Sequence, residues 1–286
     1  MKSLVELKKV CRKDKLDPFW ISNVLARPFS IYVTWICIQL GIRANQITFV
    51  SCVFALSSSF ILLLSTQWAL FLSAVFLYVF YILDHVDGEL ARYYIYKSKN
   101  SDSFINLSGI YFDRIVHYFL GITLYPCLGI SLYLIDEHFV WLVLGVIGAV
   151  GSSGLPRFTS AFTVFEMTVK NESLIKTEYI KQFAGLDFVY WTKSQIPRDF
   201  IVLPRNFIEL KYVLKQYLSF PGDLIIYIVF VNADVFWGFP DLLFTKIYLT
   251  FFASIRLLNI AYSAYNYFNK LRKIPFKSSN EYGKSS

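Results

Sequence analysis

The sequence predicts an all-α integral membrane protein. Six transmembrane helices follow an N-terminal interfacial helix, with a cytoplasmic insertion between the fourth and fifth. Three observations predict this. Of 286 residues, 56% are hydrophobic and 17% charged, with a mean hydropathy of +0.48; an average soluble domain has about 25% charged residues. The apolar residues gather into long runs, several near the roughly 20 residues needed to cross a bilayer. The basic residues fall on one side of those runs. Together these features exclude a soluble globular protein, a disordered chain and a disulfide-stapled secreted scaffold.

The elements follow in order. Residues 1–45 form a basic, helical segment. Its apolar run from Pro28 to Ile42 is 15 residues long and is followed by Arg43, a length that suits an interfacial or re-entrant helix better than a span. The basic N-terminus has no early apolar stretch, so no cleavable signal peptide is expected. The spans are 46–66, 68–87, 109–134, 139–157, 222–238 and 241–266, within a transmembrane domain of residues 46–266. The insertion, 158–221, contains pieces spaced like amphipathic helices (KNESLIKTEYIKQF and RNFIELKYVLKQYL). They either lie on the membrane and cap a site or form a plain connection. The basic tail, 267–286, reads as disordered.

Charge tests the topology. With the N-terminus in the cytoplasm, 24 of the 28 Lys and Arg residues lie inside. The turns near Gln67, near Asp136 and from Ala233 to Pro240 hold none, and Arg114, Arg157, Lys246 and Arg256 sit within spans or at their ends. This is the positive-inside pattern; counting Pro28–Ile42 as a seventh span would put the basic N-terminus outside. The net charge of +8 reads as a cytoplasmic skirt against anionic lipid, not as a nucleic-acid surface. With that orientation the sequons at Asn106 and Asn171 are not glycosylation sites. Gly is scarce (13) beside Phe (28) and Tyr (20), which predicts packing through large side chains rather than close GxxxG contacts. The four cysteines form no CxxC pair and read as buried free thiols.

The chemistry concentrates in DHVDGELARYYIYKSKNSDSFINLSGIYFDRIVHYF. At 100° per residue, Asp84, Asp87, Gly88 and Ala91 share one helical face. Gly109, Asp113 and His117 recur at i, i+4 and i+8, again one face. Two helices therefore each present a pair of metal-capable side chains at one membrane level. Carboxylates at membrane depth are costly unless paired or metal-bound, so they mark function. Hard oxygen donors with one imidazole suit Mg²⁺ or Mn²⁺, ions that neutralise a diphosphate. Gly88 and Gly109 leave room for a ligand to approach the backbone, and Arg92 supplies a fork for phosphate. His85 points off this face and reads as packing.

The stretch resembles the signature of the CDP-alcohol phosphotransferase family, DxxDGxxARxnGxxxDxxxD. Asp84, Asp87, Gly88, Ala91, Arg92, Gly109 and Asp113 match in order. The upstream piece RPFS…GIRANQITFVS, with Asn45 and Thr48, is similar to the family's entry into its first span. The resemblance covers residues 27 to 157 by motif and the remainder by span count, since family members have six-helix cores. Two departures stand out. His117 replaces the last aspartate, and sixteen residues separate Arg92 from Gly109, more than is usual.

The resemblance implies an enzyme in which an acceptor hydroxyl attacks the β-phosphorus of a CDP-linked alcohol and CMP leaves, in phospholipid or polar-lipid synthesis. It implies Mg²⁺ or Mn²⁺ held by Asp84, Asp87 and Asp113, a CDP site at Gly88, Ala91, Arg92 and Gly109, and His117 as the base, in a bilayer-embedded homodimer. The membrane is a bacterial plasma membrane or an internal eukaryotic one, with the site facing the cytoplasm. Arg157 and Arg256 are candidates for a phosphate on the acceptor; an ion pair with Asp234, or snorkelling, is the alternative for them, as snorkelling is for Lys246. The competing function is a relative that binds metal and nucleotide without turnover.

Overall fold

The computed structural model describes residues 4–11, 22–97, 107–152, 217–218, 222–238 and 240–272. Among these the protein is all helical. Helix α1 is Leu4–Cys11, and a π turn at Ser22–Ala26 leads into α2, Arg27–Gln39. Pro28 opens α2, where its missing N–H is no loss. Gly41, at φ +70°, closes it: the Gly41 N–H donates to the Ile38 carbonyl (3.2 Å) and the Ile42 N–H to that of Cys37 (2.9 Å), the paired bonds of a Schellman motif. Two residues later the Gln46 side chain accepts the Arg43 N–H at 2.8 Å and starts α3, Ala44–Ile61, which runs on as a 3₁₀ turn to Leu64. This junction fixes the entry angle of α3 and places Thr48 in its second turn.

Helices α4 (Gln67–Lys97), α5 (Leu107–Asp136), α6 (Val140–Ser152), α7 (Gly222–Trp237) and α8 (Leu243–Arg272) complete the set. Four are long and apolar enough to cross a membrane: Ala44–Leu64, Gln67–Lys97, Ile115–Asp136 and Leu243–Asn269. Within the described residues the other two predicted spans are helical over 13 and 16 residues, about 20 and 24 Å at 1.5 Å per residue. Helix α4 passes the predicted end at 87 by ten residues, since one glycine, Gly88, does not break a helix. Helix α8 likewise runs on to Arg272. The proposed insertion, apart from residues 217–218, and the tail beyond 272 lie outside the described residues, as do Asn106 and Asn171.

Helix α3 packs on α4 and α5, α5 on α6, α6 on α8, and α7 joins α4 to α8, while α2 lies along α4. Leu120, Leu124, Leu128 and Leu132 of α5 form a buried i, i+4 row facing the core. Cys11, Cys37 and Cys127 are buried and all four cysteines are free, as their spacing implied. Packing through large side chains does not hold everywhere. Gly145, Gly148 and Gly151 line one face of α6, and α5 supplies Gly129 opposite. A Cβ on Gly129 would lie 2.5 Å from the Trp141 carbonyl oxygen and 3.0 Å from Gly145 Cα; one on Gly148 would lie 2.6 Å from the Tyr125 ring. A low glycine count did not reveal this seam because the few glycines are concentrated in it.

Two charges in the bundle are placed otherwise than as the sequence suggested. Fully buried Asp234 accepts the backbone N–H of Phe244 (3.1 Å) and Thr245 (2.7 Å) and the Thr245 hydroxyl (2.7 Å). It thus serves the otherwise unpaired donors that open α8, not an arginine. Lys246 does not simply snorkel: its Nζ lies 2.5 Å from Asp136 Oδ2, which also accepts the Trp141 indole N–H at 3.1 Å.

Substituting Gly129→Ala drives a methyl into backbone that cannot rotate away, so a cost of about 1–3 kcal/mol is expected. It should appear as a lowered unfolding midpoint in detergent, followed by tryptophan fluorescence. Val143→Ala, on an outward position with 42% exposure, should leave the midpoint nearly unchanged.

Candidate active site

The signature's two halves lie on α4 and α5, and both helices pack on α3. Because α4 is unbroken through Asp84, Asp87, Gly88, Ala91 and Arg92, these residues keep helical spacing on one rigid rod. Gly109 lies in the first turn of α5 and Asp113 and His117 follow, one turn apart. His117 Nε2 is 2.9 Å from Asp84 Oδ1 and 3.4 Å from Asp113 Oδ1. One donor atom from each of these three residues lies within 4.8 Å of the others. Their side chains are 16% (Asp84), 27% (His117) and 40% (Asp113) exposed, so the cluster opens outward through Asp113.

These donors fit a divalent cation. Two ligands side by side on an ion at about 2.1 Å are separated by about 3.0 Å in octahedral and about 3.4 Å in tetrahedral geometry. Two carboxylates and one imidazole suit Mn²⁺ well and Mg²⁺ acceptably. When Nε2 carries a proton, the same spacing makes a charge-assisted hydrogen bond to Asp84. Asp87 is not one of the three grouped residues. Its Oδ2 accepts the Thr48 hydroxyl at 2.8 Å, so α3 orients the second carboxylate of the signature. His85 turns back on its own helix, with Nδ1 3.0 Å from the Tyr81 carbonyl and its ring edge-on to Tyr81 at 4.9 Å.

The Arg92 guanidinium folds back along α4 over Gly88. A Cβ there would stand 3.2 Å from Nη1, so this glycine makes room for the arginine of its own helix. Arg92 Nε–H donates to the Cys11 carbonyl of α1 at 2.5 Å. Ala91 is half-buried beside it.

Of the two acceptor candidates, Arg157 lies outside the described residues. Arg256 Nη2 lies 2.5 Å from Asp223 Oδ2, and its Cβ is seated against Gly151. Its ion pair is with Asp223 of α7 rather than Asp234.

Glu89 was not singled out by the sequence. It is 2% exposed and accepts the Ser30 hydroxyl on Oε1 (2.9 Å) and the Thr34 hydroxyl on Oε2 (2.6 Å). A buried carboxylate needs such partners. The available signal was the i, i+4 pair of hydroxyls on an otherwise apolar α2, which needs a polar group on whatever helix it faces.

Residues 42–149 match a family model described as CDP-alcohol phosphatidyltransferase. No curated protein gives a significant match to the chain. The matched stretch contains α3, α4, α5 and most of α6, hence Thr48 and the whole acidic cluster. It supports a membrane enzyme of the CDP-alcohol phosphatidyltransferase type, a family that uses a divalent metal.

If Asp84, Asp113 and His117 hold an ion, Mn²⁺ should raise the unfolding midpoint, since a ligand that binds only the folded state adds about 2.7 kcal/mol at 100 times its Kd. Asp84→Asn and Asp113→Asn should each remove that increment. A full Mn²⁺ response in both variants would place the ion elsewhere.

Proposed function

We propose that the protein is an integral-membrane phosphotransferase that moves a phosphatidyl or phospho-alcohol group from a CDP-alcohol to an acceptor hydroxyl, releasing CMP, in phospholipid or polar-lipid synthesis. The observation that carries this reading is the convergence of Asp84, Asp113 and His117 from the two halves of the signature. In the bilayer, α3 to α8 supply six spans with both termini in the cytoplasm, and the site opens to that side. The one-sided distribution of Lys and Arg supports this orientation.

The residues divide the work as follows. Asp84, Asp87 and Asp113 would hold the divalent ion, with Asp87 oriented by Thr48. When bound, Mg²⁺ or Mn²⁺ supplies charge neutralisation for the diphosphate. Arg92 meets the diphosphate as a planar fork, and Gly88, Ala91 and Gly109 keep side chains out of the nucleotide's path. The acceptor oxygen forms the new bond to phosphorus on the side opposite the leaving oxygen. As that P–O bond breaks, its electron pair departs with CMP. His117 takes the acceptor proton, and the carboxylates beside it stabilise the resulting imidazolium, much as a triad aspartate does. Holding these groups in line is mostly a matter of position and electrostatics.

A second role for His117 is favoured by its own geometry. Nε2 is close enough to both carboxylates to be a third ligand to the ion, in the place where the family signature has aspartate. Arg256, already paired with Asp223, would serve a phosphate on the acceptor only by exchanging that partner, and Arg157 remains the simpler candidate. A homodimer in the membrane completes the proposal.

Purified protein supplied with Mn²⁺ and a panel of CDP-alcohols and acceptors should release CMP. Asp113→Asn should reduce release at least a hundredfold while the protein stays folded. His117→Ala should lose CMP release but keep CDP binding if the imidazole is the base. It should lose Mn²⁺ affinity as well if it is a ligand. No CMP release by wild type with any pair would favour a nucleotide-binding relative without turnover.

A further inference from the structure

We propose that helices α1 and α2 form a positioning arm for Arg92, so that donor affinity depends on a segment outside the signature helices. The inference rests on the phosphotransferase reading, in which Arg92 meets the donor diphosphate. The arm precedes the stretch matched by the family model, which begins at residue 42.

Two attachments join the arm to α4. The first is made by Arg92 itself. Its Nε–H is directed to the carbonyl of Cys11, the last residue of α1. A backbone carbonyl oxygen has two lone pairs, so it can accept from a guanidinium N–H whatever else it bonds. This contact uses the donor nearest the stem and leaves the terminal fork to point elsewhere. Among the described residues, Nη1 and Nη2 take no protein hydrogen bond. They lie over Gly88, on the face shared with Asp84 and Asp87. An arginine fixed through Nε in this way presents its two outer nitrogens in a set plane, as bidentate recognition of phosphate requires.

The second attachment is Glu89. It is three residues before Arg92 on α4 and holds α2 through Ser30 and Thr34. Both carboxylate oxygens are used, and all three side chains are buried. Arg92 also lies within the field of this carboxylate. An apolar patch seats α1 between the two: Leu7 and Cys11 pack with Ile31 of α2, bordered by Trp35 and Tyr93. Tyr93 is the chain neighbour of Arg92. The arm is thus held at the arginine, at the residue three before it and at the residue after it.

Because Arg92 and α1 hold each other, loosening either should loosen the other. Cys11 reports docking, since it is fully buried. Full-length protein in detergent would be labelled with maleimide, and peptide mass spectrometry would separate Cys11 from the other three cysteines. CDP with Mn²⁺ is the binding probe, because it carries the diphosphate without committing to an alcohol. Leu7→Asp, which undocks α1, should raise Cys11 labelling and weaken CDP binding about tenfold, the effect of losing one well-made charged hydrogen bond. Arg92→Met, which keeps the stem and loses the donors, should raise Cys11 labelling by a similar factor. Glu89→Ala should do both, and Glu89→Gln, which still accepts a hydroxyl hydrogen bond, should recover part of each. Exposed Cys11 with unchanged CDP affinity in Leu7→Asp would overturn the proposal alone. So would a Cys11 in Arg92→Met as protected as in wild type. Wild-type protein that binds no CDP would overturn the phosphotransferase reading and this inference with it.

Discussion

Ionised groups within a bilayer-spanning bundle must find partners, and the Asp84–His117 contact at 2.9 Å is where this chain meets that demand. The carboxylate sits on a helix long enough to cross the membrane, where an isolated charge would be costly. Its compensation comes from the next helix. The neighbouring elements are arranged to permit it: α3 packs on both α4 and α5 and contributes Thr48 to Asp87, and Gly88 lets Arg92 lie flat against α4. Both helices pack on α3, and the charged contact adds a direct, directional tie between their signature faces that apolar packing alone does not supply.

The same rule recurs away from the site. Asp223 with Arg256, Asp136 with Lys246, Asp234 with the start of α8, and Glu89 with Ser30 and Thr34 each join two elements through a buried or half-buried carboxylate. In a soluble protein such pairs give little net stability against water. In a bundle surrounded by hydrocarbon they specify which helices are neighbours. The tyrosines follow suit: Tyr227 and Ser73 share a hydrogen bond of 3.0 Å between α7 and α4.

What the sequence made legible follows from which signals are local. Helical periodicity put Asp84 and Asp87 on one face and Asp113 and His117 on another, and a charge count separated the spans. The structure keeps those faces and helices. Partners outside the signature were not legible, because such a partner lies a whole helix away in the chain. Asp234 could be read as a match for arginine, yet it caps backbone. Glu89 drew no notice inside a motif whose other letters were louder. The glycine seam between α5 and α6 escaped a composition-based expectation because Gly129, Gly145 and Gly148 are gathered at one close approach. Helix ends differed where no breaker marked them, as at Lys97 and Arg272.

The length of α4 has a consequence of its own. At 31 residues it is about 46 Å long, against a hydrocarbon layer of about 30 Å. Such a rod cannot shorten; it meets a thinner or thicker bilayer by changing its tilt. Asp84, Asp87, Glu89 and Arg92 ride on it together, so their mutual distances are indifferent to lipid composition. Their depth beneath the headgroups is not. Acyl-chain length in the surrounding bilayer therefore shifts the depth of these four side chains together, while their arrangement stays the same.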